Sequence, residues 1–357
     1  MKTYVKFLIN NFLNSFFFVF LIIFCLVFIL NLLSEVDFFK DISVKNYLTI
    51  YLSLLNSPAY IFEILPFIFL LATQIFYIKI ANGNQVEIFK YFGLKNLDIL
   101  KIISLVGFIL GFFFITIFYN FSSNLKNFYL VIKSNYTSDN KYLAVITNNG
   151  LWIKDKIENK ILIISASEIK KNFLIDTFIS EFNEKNEIIR NIKSEKINIE
   201  DNIWIIYKPT IINDNEKILE DTIKISSNFN YKKIQNLFSN LSSLSIFELI
   251  NLRDNYYDLG YSTNEIDLHM IKLLTFPFNF ILMVIFSSII MNYIKNYQSN
   301  SLKISLGLFC CVIIYYINNF FYAIGIAGSI SVVSSIFIPL IIFTAISLIM
   351  LKNINEK

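Results

Sequence analysis

Charge is scarce in this 357-residue sequence. Lys, Arg, Asp and Glu make up 16% of it, against about 25% in an average soluble domain. That deficit argues against an ordinary soluble chain and points to lipid. The formal net charge of +4 is spread along the sequence. No basic cluster marks a nucleic-acid surface, so no nucleic-acid partner is expected. Histidine is scarcer still: His269 stands alone with no cysteine pair near it, which argues against a His/Cys metal site. The three cysteines, Cys25, Cys310 and Cys311, all lie inside apolar runs, so no disulfide framework is expected. Catalytic motifs are missing too. There is no Gly-x-x-x-x-Gly-Lys-Ser/Thr phosphate loop, no Gly-x-Ser-x-Gly elbow and no His-Glu-x-x-His pair, which excludes ATP hydrolysis and metalloprotease chemistry by those routes. The expectation is a chain without catalytic residues, metal or cofactor.

Apolar residues fill the space that charge leaves: they form 55% of the sequence. Crossing a bilayer takes about 20 apolar residues. Six runs qualify, at 7–33, 60–78, 102–121, 273–291, 304–324 and 330–351. The first follows Lys2 and Lys6, as a signal peptide would. Its apolar part is much longer than an h-region of about 7–15 residues, and no Ala-x-Ala site follows, so it is expected to stay as an anchor. The short connections alternate in charge. Lys2, Lys6, Lys79, Lys90, Lys95, Lys101, Lys295, Lys303, Lys352 and Lys357 fall on one side. Glu35, Asp37 and Asp41 outnumber Lys40 and Lys45 on the other. The positive-inside rule then puts both termini and the segment 82–100 in the cytoplasm.

Long runs give way to short ones between the third and fourth spans. Segments such as "KYLAVIT", "GLWIKDKI", "KILIISASEI", "LIDTFISEF" and "NIWIIYKPTII" are rich in Ile, Thr and aromatics and are punctuated by Asn, Asp and Gly. That spacing predicts an inserted all-β domain, a sandwich or open barrel of jelly-roll-like arrangement, outside the membrane. Its Glu181, Glu184 and Glu187 are expected on a solvated face. Ile246, Leu249, Ile250 and Tyr257 recur at helical spacing before a Gly260 stop, predicting a short return helix. The domains are thus expected at 1–121 (three spans), 122–260 (β domain and return helix) and 261–357 (three spans). The expected fold is an α-helical polytopic membrane protein of six transmembrane helices with an inserted all-β domain on the outward face.

Within the apolar runs only Glu63 is charged. It can be an interfacial residue at a helix start or part of a proton relay, and so few ionisable groups argue against an ion-driven transporter. Gly107 and Gly111 form a small-xxx-small pair that could bring two helices together. The halves share no internal sequence similarity that would mark an inverted repeat.

One polar insert interrupts the first three spans: "NGNQVEIFKYFGLKNLDIL", Asn82–Leu100. At about 100° per residue, Val86, Ile88, Phe89 and Phe92 share an arc with Gln85 at its centre. Glu87, Lys90 and Tyr91 lie opposite. Such a helix suits a partner's groove or the bilayer surface.

Several segments, in order, resemble the LptF/LptG permease family. They are Pro66 followed by Leu71-Ala72, the Gly93-Leu94 pair, "GLWIKD" (Gly150–Asp155), "NIWII" (Asn202–Ile206), "LSSLSIFEL" (Leu241–Leu249) and "LHMIKLLTFPF" (Leu268–Phe278) with Pro277. "GLWIKD" is closer to LptG than to LptF. The resemblance implies the inner-membrane permease subunit of an ABC transporter that extracts lipopolysaccharide and passes it to a periplasmic bridge. It implies an LptF-like paralogue as heterodimer partner, an LptB-like ATPase dimer that carries the hydrolysis, and an LptC-like bridge protein. It makes residues 84–92 a coupling helix on the ATPase, with Gln85, Glu87, Ile88, Phe89, Phe92 and Gly93 at the contact. Where the family has a glutamate eight residues before the closing glycine, this sequence has Gln85. Lys40 and Lys45 fall where the family contacts the lipid head group; a snorkelling anchor is the other reading of Lys40. Ser34 stands where the family often carries a further basic residue. An LptF-like subunit, or a membrane-anchored scaffold whose β domain binds periplasmic partners, are the alternatives.

Overall fold

A computed structural model describes residues 2–42, 44–83, 85–136, 151–157, 160–170, 172–183, 185, 187–213, 216–231, 233–234, 240–258, 261–293 and 299–355. The chain divides into two compact units: residues 1–126 with 264–357, and residues 127–263. The expected strand at 141–147, the Gly260 stop and Glu184 lie outside the described residues.

The first unit is built from helices α1 (Thr3–Phe38), α2 (Asn46–Asn82), the short α3 (Gln85–Tyr91) and α4 (Asn96–Phe113). A π-helical turn, Phe114–Tyr119, carries α4 into α5 (Asn120–Ser134). After the second unit come α7 (Asn264–Tyr293), α8 (Asn300–Ile326) and α9 (Val332–Asn355), preceded by the return helix α6 (Ile246–Asp258). Six of these stretches, with α4–α5 counted as one, are long and apolar enough to cross a membrane. All six spans expected from the sequence are present, and most run past their apolar runs. A helix keeps its hydrogen bonds through polar sequence until a breaker or cap ends it, so the apolar run marks the membrane depth and not the helix length. The third span illustrates this, continuing to Ser134.

Two helices form the centre. α2 packs against α1, α7 and α8, and α7 packs against α2, α4, α8 and α9. Phe69 of α2 stacks on Phe280 of α7 with ring centroids 4.0 Å apart, and Phe62 stacks on Phe276 at 4.6 Å. Gly111 is where α4 meets α7 closely: a Cβ there would lie 2.6 Å from the Pro277 Cα. At Gly107 a Cβ would sit 3.5 Å from Val284, an ordinary contact. Only the second glycine of the pair is required by packing.

In the second unit one sheet of nine described strands runs β1-β2-β4-β5-β6-β9, with β3 on β4, and β7 pairing with both β5 and β8. Its strands are β1 (Leu151–Ile157), β2 (Lys160–Ala166), β3 (Glu168–Lys170), β4 (Phe173–Phe182), β5 (Ile188–Asn198), β6 (Ile203–Tyr207), β7 (Thr210–Asn213), β8 (Glu216–Leu219) and β9 (Thr222–Ser226). All pairings are antiparallel. β4 changes partner from β3 to β2 around Asp176, whose φ of 47° marks the bend. Trp204 is buried and donates its Nε1–H to the Phe229 carbonyl at 2.7 Å. Asp155 is fully buried and accepts from Ser227 Oγ, Asn228 N and Asn228 Nδ2 at 2.8–3.0 Å.

One expectation is overturned here. Glu181 does not lie on a solvated face; it is 3% exposed and bridges Lys160 (2.7 Å) and Arg190 (2.5 Å). Burial alone would raise its carboxyl pKa. The hydrogen bonds and charges of Lys160 and Arg190 outweigh that and hold it below the ordinary value.

Candidate functional site

A cavity of about 770 Å³ opens within the membrane unit. Its walls come from α1 (Ile23 to Ser34), α2 (Tyr60 to Phe67), α7 (Lys272 to Met283) and α8 (Cys311 to Asn319). The reason lies in how α1 and α8 pack. α1 is buried at Leu8, Phe12, Ser15, Phe16 and Val19, and next at Glu35. α8 is buried at Lys303, Gly307, Cys311 and Ile314, and next at Gly325. No residue of α1 between Val19 and Glu35 is buried, although Asn31 donates to Ser57 Oγ of α2 at 3.0 Å; the cavity opens along this stretch of α1 and beside Cys311 to Asn319 of α8.

Its lining is mostly apolar, with a few polar groups among it. Glu63 of α2 and Lys272 of α7 both line it, with Asn31, Asn279, Asn318 and Asn319. Glu63 is close enough to Lys272 and to Lys126 of α5 for charge interaction with both. Aromatic rings surround the cations. The Lys272 Nζ lies 5.4 Å from the Tyr322 ring centroid and the Lys126 Nζ 5.8 Å from that of Tyr60, within cation–π range. Tyr119, at the end of the π-helical turn, is hydrogen-bonded to the lone histidine, His269, at 2.9 Å. A smaller cleft of about 60 Å³ between α7, α8 and α9 shares Lys272 and the three asparagines at 279, 318 and 319. Among the described residues no group of His, Cys, Asp and Glu could hold a metal ion. The arrangement offers a mostly apolar space lined by one cation, one carboxylate and several amides. It can hold an amphiphile with an anionic or hydroxylated head.

Glu63 was visible in the sequence as a charge inside an apolar run. Lys272 was not, because it stands just before the run that begins at Leu273. Its meaning comes from α7 starting at Asn264, which puts Lys272 two turns into a helix. The asparagines carried no signal in a sequence where asparagine is common.

Lys40 and Lys45 sit in the link between α1 and α2, both exposed. The α1 lining of the cavity ends at Ser34, so neither lysine is part of its wall. Lys45 lies 5.9 Å from the Tyr47 ring centroid.

The insert folds as a seven-residue helix, α3, closed by Gly93 at φ 81°. The Leu94 N–H reaches back to the Phe89 carbonyl at 2.9 Å, a Schellman-type closure that uses the left-handed conformation glycine allows. The apolar arc divides. Phe89 turns inward onto Phe7 of α1, ring centroids 6.1 Å apart. Ile88 and Phe92 face outward together with Tyr91, at 51%, 79% and 91% exposure. Gln85 is half-buried beside Gly83, where a Cβ would meet its Nε2 at 3.0 Å. The Glu87 side chain lies outside the described atoms. Thus α3 presents two aromatics and an isoleucine on one face, with Gln85 at its root.

Over residues 6–353 the chain matches the family model described as lipopolysaccharide export system permease LptF/LptG. Compared with individually curated proteins, it finds no match.

Proposed function

The chain belongs to the LptF/LptG family of lipopolysaccharide export permeases, and from that premise we propose that it is the LptG-like membrane subunit of an ABC transporter whose ATPase is a separate chain. The observation that carries the reading is the cavity between α1 and α8. Its 770 Å³ suits roughly one drug-sized ligand, whereas lipid A carries several acyl chains. One chain therefore supplies half of a site, and an LptF-like paralogue supplies the other half. The exposed apolar residues of α1 and α8 face that partner.

On this reading α3 and both termini are cytoplasmic, and the sheet unit is the periplasmic jelly-roll-like module. The Ile88–Tyr91–Phe92 face of α3 docks on an LptB-like ATPase dimer. Gln85 accepts a neutral hydrogen bond where a glutamate would accept a charge-assisted one, so that contact is weaker unless the ATPase compensates. Among the described residues β9 pairs only with β6, so its other edge can add a strand from an LptC-like bridge protein. Lys272, with Glu63 as its counter-charge, meets the anionic head of the lipid. Lys40 and Lys45 sit above it as exposed cations that draw the head group in.

Photo-crosslinking tests the central claim. A crosslinker at Tyr315, which lines the cavity, is expected to capture lipopolysaccharide. One at Ile349 of α9 is equally exposed (64% against 59%) but is not part of the lining, and is expected to capture bulk phospholipid. Equal lipopolysaccharide capture at both positions would defeat the proposal. Co-purification of an ATPase that is lost on Ile88→Asp or Phe92→Asp tests the assignment of α3.

A further inference from the structure

Gln74 is a polar side chain in the middle of the apolar unit, and it is fully buried. Its Nε2–H donates to the backbone carbonyl of Lys303 at 2.8 Å. In α8 that same carbonyl accepts the regular helical bond from Gly307, so the amide uses its second lone pair. The bond exists only because residue 307 has no side chain. A Cβ there would lie 2.2 Å from the Gln74 Nε2 and 2.6 Å from its Cδ and Oε1. The carboxamide therefore lies flat on the α8 backbone, in a niche that only glycine leaves open. Among the described residues its Oε1 has no hydrogen-bond partner, so the tie is satisfied on one side only.

The position of the niche gives it meaning. Gln74 stands eight residues before the end of α2, about 12 Å along the helix, and α2 leads through Gly83 directly into α3. On α8, Lys303 and Gly307 share a buried face with Cys311 and Ile314, and those two line the cavity. One amide thus joins the helix that carries α3 to the helix that walls the cavity.

We propose that Gln74 is a positioning residue for transport. Seated in the Gly307 niche, it makes the α3-bearing half of α2 and the helix α8 move as one body, so that a push on α3 shifts the cavity wall. The transport half of this inference rests on the reading of α3 as the ATPase contact; the lock itself does not.

Two measurements separate the lock from that reading. The first uses the full chain in nanodiscs, with Cys25, Cys310 and Cys311 replaced by alanine and spin labels at Ala81 of α2 and Phe309 of α8. The parent is expected to give a narrow distance distribution. Gln74→Leu keeps the bulk and removes the amide, and Gly307→Ala expels it; each is expected to broaden the distribution, and the double variant to broaden it no further than the singles. An unchanged distribution in Gln74→Leu overturns the lock, whether or not any ATPase binds. The second uses the chain reconstituted with its paralogue and ATPase in lipopolysaccharide-containing liposomes. For Gln74→Leu, ATP hydrolysis is expected to stay at the parent level while lipopolysaccharide released per ATP falls by about fivefold or more. Hydrolysis, release and assembly falling together would show a merely structural residue and overturn its positioning role, as would unchanged release per ATP. A parent chain with an intact lock that captures no ATPase would instead defeat the transporter reading.

Discussion

The central helices α2 and α7 and the flanking helices α1 and α8 are all apolar, yet they keep different company. In the apolar windows of α2 and α7, 61% and 67% of residues are buried inside the chain; in those of α1 and α8 only 17% are. Water cannot explain the difference, since lipid tails are as apolar as leucine and give no hydrophobic drive for helices to associate. What the central pair has is shape: stacked rings at Phe69–Phe280 and Phe62–Phe276 and a glycine niche at Gly111. The flanking pair has long exposed apolar sides beside fitted contacts that are local: Phe12 and Phe16 of α1 against Phe69 and Phe76, and Gly307 and Gly325 of α8 against Gln74 and Ser335. Apolarity places a helix in the membrane; complementary packing decides whether it is part of the frame or free to act as a wall.

The largest expected effect breaks the frame. Phe69→Ala removes a fully buried ring that touches both Phe280 and Phe16. It should cost about 3–5 kcal/mol of unfolding free energy in mixed micelles. Phe309→Ala on α8, where the ring is 63% exposed, should change stability by less than about 0.5 kcal/mol. Similar losses at the two sites would erase the distinction between frame and wall. A loss at Phe309 that appears only when the paralogue is present would sharpen it, because that surface would then be an interface.

Next in size is the glycine pair. Gly111→Ala pushes a methyl against the Pro277 backbone and should cost about 1–3 kcal/mol, since backbone cannot swing aside. Gly107→Ala meets Val284 at ordinary contact distance and should be nearly neutral. Thermal unfolding of the two variants side by side checks this, and a reversed order would mean that α4 and α7 do not meet at Pro277.

Glu181 extends the contrast to the sheet, where a polar group takes part in the frame. Its folded pKa is depressed, so its contribution is complete above the unfolded carboxylate value, about 4.3, and is lost as pH falls through the folded one. Lys160 is more than half exposed and Arg190 a third, so solvent screens the bridges and their worth is about 1–2 kcal/mol. Protection of the β4 and β5 amides in the full chain, corrected for the intrinsic pH dependence of exchange, should fall on acidification in the parent. In Glu181→Gln it should be lower near neutrality and flatter with pH. A parent profile with no acid limb would remove the bridge from the list of stabilising contacts.

Much of this frame was legible in advance. Six apolar runs gave six spans, and alternating short segments gave the sheet, because both periodicities follow from burial on one face or all around. The helix extensions were not legible: polar turns beyond the bilayer keep their backbone bonds with no change of composition to announce them. Strand β8 escaped notice because its four residues are all exposed and so carry no alternation. The cavity escaped as well. It is a gap among α1, α2, α7 and α8, and no single helix encodes a gap. Glu63 hinted at it, while its counterpart Lys272 looked like a flanking residue. In α3, helical spacing placed Phe89 and Phe92 on one apolar arc; it could not say that Phe7 would claim the first and leave the second outside.

The smallest expected effect concerns the joint between frame and insert. Two glycines flank α3, and they should respond differently. Gly93 has φ 81° with open space around it, so Gly93→Ala meets no clash but must hold a left-handed backbone, at about 1 kcal/mol. Gly83 has φ −86°, which any residue adopts, and its missing Cβ faces only the mobile end of Gln85. Gly83→Ala should therefore cost less, because the Gln85 amide can move by a few tenths of an ångström. Exchange of the Leu94 amide, which closes α3 on the Phe89 carbonyl, should quicken in Gly93→Ala and stay at the parent rate in Gly83→Ala. If both variants loosen Leu94, α3 is held by its junction with α2. If neither does, the Phe7–Phe89 contact holds it, and α1, the cavity's other wall, would then feel the same push as α2.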